Sequence, residues 1–195
     1  MNTNRNLFLM SLPIFVELLL QLLVGNVDQM MVSRVSQPSV AAIVNANQIM
    51  NLVIIVLSMA STAVTVILSQ YLGAQDEKNA SRTCMVSIVL ISGVSLAATI
   101  LVFAGHTPLY RAIHVPEEVF DEASLYLLIV GAFILVQGLY LTFSAMIRAF
   151  AMVKEVMIIS VIMNAMNIVG NAILINGWFG MPQLGAVGAA ISTDI

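Results

Sequence analysis

Two carboxylates and an amide share one stripe of the first apolar segment. Glu17, Gln21 and Asp28 are spaced four and then seven residues apart, and Pro13 lies on the same helical face. An ionisable side chain at the centre of a spanning helix costs about 2.5–3.5 kcal/mol, so such groups face a cavity or a partner rather than lipid. Glu17 lies about ten residues into the segment, roughly 15 Å along the axis, which predicts a position near the membrane midplane. Asp28 falls near the far end. Carboxylates and an amide on one stripe suit the handling of a cation or a proton. A structural reading stands beside it, in which Asp28 reaches to the interface and Glu17 accepts a hydrogen bond from another helix.

A second stripe carries Ser160, Asn164, Asn167 and Asn171, at spacings of four, three and four. Asparagines turned to lipid would be left without partners, so this face must point inward. Two roles fit it. The amides could join helices by hydrogen bonds, or their carbonyl oxygens could ligate a hard cation such as Na⁺, which prefers oxygen ligands. The second apolar segment opens with Asn45, Asn47, Gln48 and Asn51 and continues with Ser58, Thr62, Thr65 and Ser69, fitting either a wet vestibule or helix packing. The fourth offers Gln137, Tyr140 and Ser144, and Tyr140 with Phe143 could meet a flat cationic ligand. Gln48, Asn51, Gln137 and Tyr140 are thus the candidate substrate contacts.

Membrane helices must position these residues. Hydrophobic residues are 60% of the chain and charged ones 9%, against about 25% charged in soluble domains. A water-soluble fold of 195 residues could not hide so much apolar surface. A span needs roughly 20 apolar residues. The runs predict helices over about Leu7–Val32, Val40–Leu72, Met85–Phe103, Phe120–Ile147 and Val156–Ile175. Between them lie loops at Ser33–Ser39, Gly73–Cys84, Ala104–Val119 and Arg148–Glu155. Pro116, Glu117 and Glu118 suit the start of the fourth helix. The third has only Ser, Thr and Gly as polar content and is expected to face lipid. After a glycine-rich stretch, Gly177–Gly188, residues Ala189–Ile195 read as the start of a sixth helix, so the expectation is of a truncated chain.

Arg5, Lys78, Arg82, Arg148 and Lys154 fall on one side of this arrangement, and Arg34 and Arg111 on the other. The imbalance predicts a cytoplasmic amino terminus. The first segment lacks the features of a cleaved signal and reads as a retained helix. Arg148 and Lys154 bracket an inner loop and fit a purely topological role. His106 and His114 fall in the outer loop without a metal-ligand pattern. The single Cys84 permits no internal disulfide. Net charge is −3 with scattered basic residues, so nucleic-acid binding has no support. No zinc-protease, nucleophile-elbow, phosphate-loop or dinucleotide motif is present, so the chain is not expected to be an enzyme or to carry a cofactor.

Four segments, taken in order, resemble the multidrug and toxic compound extrusion family of secondary transporters. They are Val27-Asp28-Gln29-Met30-Met31-Val32-Ser33-Arg34 after Pro13; Ser69-Gln70-Tyr71-Leu72-Gly73-Ala74; Ala145-Met146-Ile147-Arg148-Ala149; and Asn167-Ile168-Val169-Gly170-Asn171, continuing to Pro182-Gln183-Leu184-Gly185-Ala186. The resemblance implies an all-α integral membrane protein. Residues 1–195 would form five complete transmembrane helices plus the start of a sixth, one lobe of a twelve-helix transporter whose carboxy-terminal lobe is absent from the chain. It implies export of organic, often cationic, compounds in exchange for Na⁺ or H⁺ at the inner membrane, with lipid around it. It implies an ion site in which Asp28 and Asn167 match two family positions. Asn171 stands where a second acid would be, which removes one negative charge. Two other readings remain open: a lipid-linked oligosaccharide flippase of the same superfamily, disfavoured by the lack of a mid-helix cation, and a non-transporting membrane scaffold.

Overall fold

The computed structural model describes residues 3–33, 37–112, 117–175, 177 and 184–194. They form helices α1 (Thr3–Ser33), α2 (Gln37–Gly73), α3 (Glu77–Ala112), α4 (Glu117–Ala132), α5 (Ile134–Ala149), α6 (Val153–Leu174) and α7 (Gly185–Asp194). α2, α3 and α6 are each long and apolar enough to cross a membrane. α4 and α5 meet at a bend of 47° and are long and apolar enough only when taken together as one broken span. α1 contains a shorter apolar stretch, Ser11–Val27.

The fourth span is therefore not the continuous helix expected over Phe120–Ile147. At Phe133 the backbone turns to φ −97°, ψ 4°, outside the helical well. Its amide donates to Val130 O at 3.1 Å, a tightened turn, and the regular ladder resumes with Gln137 N to Phe133 O at 2.9 Å. Gly131 sits just before the break against α3, where an added Cβ would lie 2.9 Å from Val102 Cγ1. A glycine both permits that approach and weakens the helix.

The short connections are tighter than the sequence reading allowed. α2 ends with Gln75 at φ 56°, Asp76 N bonded to Tyr71 O at 2.9 Å and Gln75 N to Leu72 O at 3.1 Å. This is the left-handed helix stop usually built on glycine. α5 ends the same way, with Ala151 at φ 62°, Met152 N on Ile147 O at 3.2 Å and Ala151 N on Arg148 O at 2.9 Å. Asp76 then caps α3: Asn79 N donates to its Oδ1 at 3.1 Å and Asn79 Nδ2 to its Oδ2 at 2.6 Å. These bonds hold the Asp76 carboxyl below its ordinary pKa of 3.8, the backbone bond most.

α3 runs on through Pro108 to Ala112, so His106 belongs to a helix and not to the expected loop. His114 lies outside the described residues. Tyr110, fully buried, donates its hydroxyl to Ala123 O at 2.8 Å and meets the ring of Phe120 edge-on at 5.7 Å, closing the end of α3 onto α4.

α3 does not simply face lipid. Ile91, Ser95 and Val102 are buried against α4 and α5, while Val89, Leu90 and Leu101 on other faces are exposed. The close fit uses small residues, as membrane helices require in the absence of a hydrophobic drive between them. A Cβ on Gly138 would collide with Ser95 Oγ and lie 3.2 Å from its Cβ. α7 begins at Gly185, earlier than expected, because a Cβ on Gly188 would lie 2.7 Å from Leu174 O and only glycine lets α7 start against the end of α6.

Candidate functional site

α1 packs against α6, which brings the two polar stripes together. At their junction Glu17 is 4% exposed. Arg148, in the last turn of α5, donates from Nη2 to Glu17 Oε1 at 2.6 Å. Ser160 of α6 donates to the same oxygen at 3.2 Å. The Ser160 hydroxyl also lies 2.9 Å from the Tyr140 hydroxyl of α5. A serine has one proton to give. With that proton directed to Glu17, Tyr140 is the donor to Ser160. The chain Tyr140–Ser160–Glu17–Arg148 thus ties α1, α5 and α6 by charge-assisted bonds.

This arrangement corrects one expectation. Arg148 is not merely a topological charge; it is the ion-pair partner of the one buried carboxylate among the described side chains. Ser160 is seven residues from Val153 at the start of α6, roughly 10 Å along its axis, and the pair with the last turn of α5 fixes Glu17 at that level. The signal available in the sequence was the carboxylate itself, since a buried Glu in hydrocarbon demands a cation.

Of the α6 asparagines, Asn167 binds α7. Asn167 Nδ2 donates to Ser192 O at 3.2 Å, and Ser192 Oγ donates to Asn167 O at 2.7 Å. Asn171, fully buried, donates from Nδ2 to Asn167 Oδ1 at 3.1 Å. Gly170 allows the contact, for a Cβ there would lie 2.5 Å from Ser192 Oγ. Ser192 is a partner the sequence reading did not single out. Asn164 is half-buried on the same helix. Gln21 and Asp28 fall within α1, but their side chains lie outside the described residues.

The polar groups of α2 divide. Asn45, Thr62 and Ser69 donate to carbonyls one turn back in their own helix, at 2.9, 2.8 and 2.7 Å. Thr65 also reaches Ala145 O of α5 at 3.2 Å. Asn47 Oδ1 receives a long contact of 3.4 Å from Tyr126 of α4, a buried residue absent from the sequence-based set. Gln48 and Asn51 are exposed, and Gln137 is half-buried beside half-buried Tyr140. The structure therefore joins Glu17, Tyr140, Asn167 and Asn171 into polar contacts and leaves Gln48 and Asn51 on open surface. Among the described residues no cluster of three His, Cys, Asp or Glu could hold a metal ion, so a cation here would rest on amide and hydroxyl oxygens with few carboxylates.

The MatE family model matches residues 13–173. Over 190 residues the chain is 39% identical to the uncharacterized transporter YisQ of Bacillus subtilis, covering 97% of this chain and 42% of that protein. It is 29% identical over 191 residues to a probable multidrug resistance protein NorM of Chromobacterium violaceum, covering 95% and 40%. The chain thus spans about 40% of the length of these relatives. Among solved structures it superposes on a MATE protein in the straight conformation with TM-score 0.87 at 21% identity, covering 96% of this chain and 41% of that one. A multidrug resistance MATE family transporter of the MOP superfamily in the outward-facing conformation gives TM-score 0.84 at 22% identity, over 94% and 40%.

Proposed function

The chain belongs to the MatE family of multi-pass membrane transporters, which are not enzymes, and from that premise we propose that it supplies one lobe of a drug efflux antiporter. The antiporter exports organic, often cationic, compounds in exchange for Na⁺ or H⁺ by alternating access. Its amino terminus lies in the cytoplasm.

One observation carries this reading: the register between α1 and α6. Alternating spans make the two helices run in the same direction, and Glu17 pairs level with Ser160. Eleven residues further along each helix stand Asp28 on α1 and Asn171 on α6. The register favours an ion site of Asp28 with Asn167 and Asn171. Asn167 Oδ1 accepts one bond from Asn171 and has a second lone pair for a cation. Glu17 is already neutralised by Arg148, so its part is to hold α1 on α6 while Asp28 binds the coupling ion. One negative site cannot comfortably hold both the ion and a cationic substrate, and binding drives exchange only if it favours one access state over the other.

The test is efflux from membrane vesicles of the whole transporter under an imposed Na⁺ or H⁺ gradient. Asp28→Asn should leave insertion intact and abolish gradient-driven efflux. Asn171→Asp should strengthen Na⁺ dependence by restoring an acid. Undiminished gradient-driven transport by Asp28→Asn would end this assignment.

A further inference from the structure

A groove of about 460 Å³ runs between α2 and α3, away from the α1–α6 polar network. Its walls are apolar: Ala60, Ala63, Val64 and Ile67 from α2 face Val86, Leu90 and Ile91 from α3. Apart from buried Ser87 further along α3, its polar lining gathers at one end, beside the tight turn at Gln75, where Tyr71, Asn79, Arg82 and Thr83 stand. Arg82 is the only charged residue in the lining. It is exposed and forms no ion pair or hydrogen bond with a described residue. The nearby Asp76 carboxylate is turned to Asn79 at the start of α3, not to Arg82. Glu77 and Lys78, next in the chain, are exposed, outside the groove lining and opposite in charge.

The dimensions and polarity of this groove match one leaflet of a bilayer. From Tyr71 to Ala60 is eleven residues, and from Arg82 to Ile91 nine, so the slot is roughly 14–16 Å long. Half of a hydrocarbon core of about 30 Å is about 15 Å. The charged mouth lies near the adjoining ends of α2 and α3, the end of a spanning pair that headgroups would meet, and the apolar slot leads inward from it. A cleft open to hydrocarbon is filled by lipid, because unfilled apolar space forfeits dispersion contacts. A guanidinium without a protein partner suits a phosphate, which it grips with two parallel N–H donors.

We propose that the α2–α3 groove is a binding site for one anionic phospholipid, with its phosphate on Arg82 and an acyl chain in the slot between Ala63 and Leu90. The lipid braces α2 against α3 at the end where the two are joined by only three residues, Ala74 to Asp76. Its net negative charge complements the single cation of the lining.

Native mass spectrometry of the full chain, released from detergent after incubation with phosphatidylglycerol or phosphatidylcholine, tests this. The wild-type chain should retain one phosphatidylglycerol in preference to phosphatidylcholine. Arg82→Gln should cut that preference about five-fold, the contribution of one basic residue near an anionic lipid surface. Ala63→Phe, which fills the slot and leaves Arg82 in place, should lower retention of both lipids. Equal retention of the two lipids by wild type, or unchanged phosphatidylglycerol retention by Arg82→Gln, would overturn the proposal. Loss in Arg82→Gln with full retention in Ala63→Phe would overturn it as well, since the slot would then be empty of lipid.

Discussion

The guanidinium of Arg148 meets the carboxylate of Glu17 at 2.6 Å across 131 positions of sequence. Glu17 is 5% exposed at its side chain and Arg148 29%, so the acid is the desolvated member. Both charges cost desolvation energy, which the short bond and the Ser160 hydroxyl offset. The pair locks α1 to the far end of the chain more firmly than it adds net stability.

Arg148→Ala should therefore destabilise far more than the pair is worth, because it leaves a buried carboxylate unmatched. The expected loss lies at the lower end of ~3–5 kcal/mol, given the partial exposure of Arg148. Glu17→Gln together with Arg148→Gln should recover most of it. Thermal unfolding in detergent measures both, and a single variant as stable as wild type would contradict the account.

The contact of α3 on α5 turns on one missing methyl. Gly138→Val would drive side-chain atoms into Ser95, with an overpacking cost of about 1–3 kcal/mol. Ser95→Gly in the same chain should relieve it. The same melts report the pair, and additive losses in the double variant would show that the helices do not meet there.

Lys78 and Arg111 stand near opposite ends of α3, 33 residues and about 50 Å apart, more than the thickness of the hydrocarbon core. Cysteines placed at these two positions, in a chain with Cys84→Ser, should react with an impermeant thiol reagent from opposite faces, Lys78 from the cytoplasmic one. Labelling of both from one face would refute the topology.

Asp76 titrates with the stability of the α2–α3 turn. Its native pKa lies below the ordinary 3.8, so the ionised cap stabilises the fold fully above that pH and the contribution is lost as pH falls through the native value. Wild type should melt above Asp76→Asn at pH 6, and the gap should close below pH 3.8. A gap that stays constant from neutral to strongly acid pH would show that the charge has no part in the cap.

Much of this architecture was legible in hydropathy alone. The long apolar runs of α2 and α6 match the observed helices to within a few residues, because lipid leaves a backbone few alternatives to helix, while that of α3 marks only the middle of a helix running from Glu77 to Ala112. The asparagine stripe marked the face of α6 on which Ser160, Asn167 and Asn171 make their hydrogen bonds. What escaped notice lacked a local signal. Gln75 and Ala151 take the left-handed conformation without being glycine, so the tight geometry of these two helix stops was invisible, though their places were not. The loop expected from Ala104 is instead helix through Pro108 to Ala112, where the apolar run had already ended. The break at Phe133 depends on how close α3 approaches Gly131, a tertiary fact. Arg148 could not be matched to Glu17 by spacing, since nothing in the sequence says which of several basic residues returns to α1.

The pairing of α1 with α6 also fixes an order of assembly. α1 precedes the other described helices in the chain, and Ser160, its hydrogen-bond partner, is made 143 residues after Glu17. At about 5–20 residues per second that interval is roughly 7–30 s. Until Arg148 and Ser160 are made, the carboxylate of the newborn helix has neither to meet it. α1 is thus made well before its partners, and in open lipid its charge would stand uncompensated for that interval. Substitutions that slow α5 or α6 would then be felt as degradation of α1, far upstream in the chain.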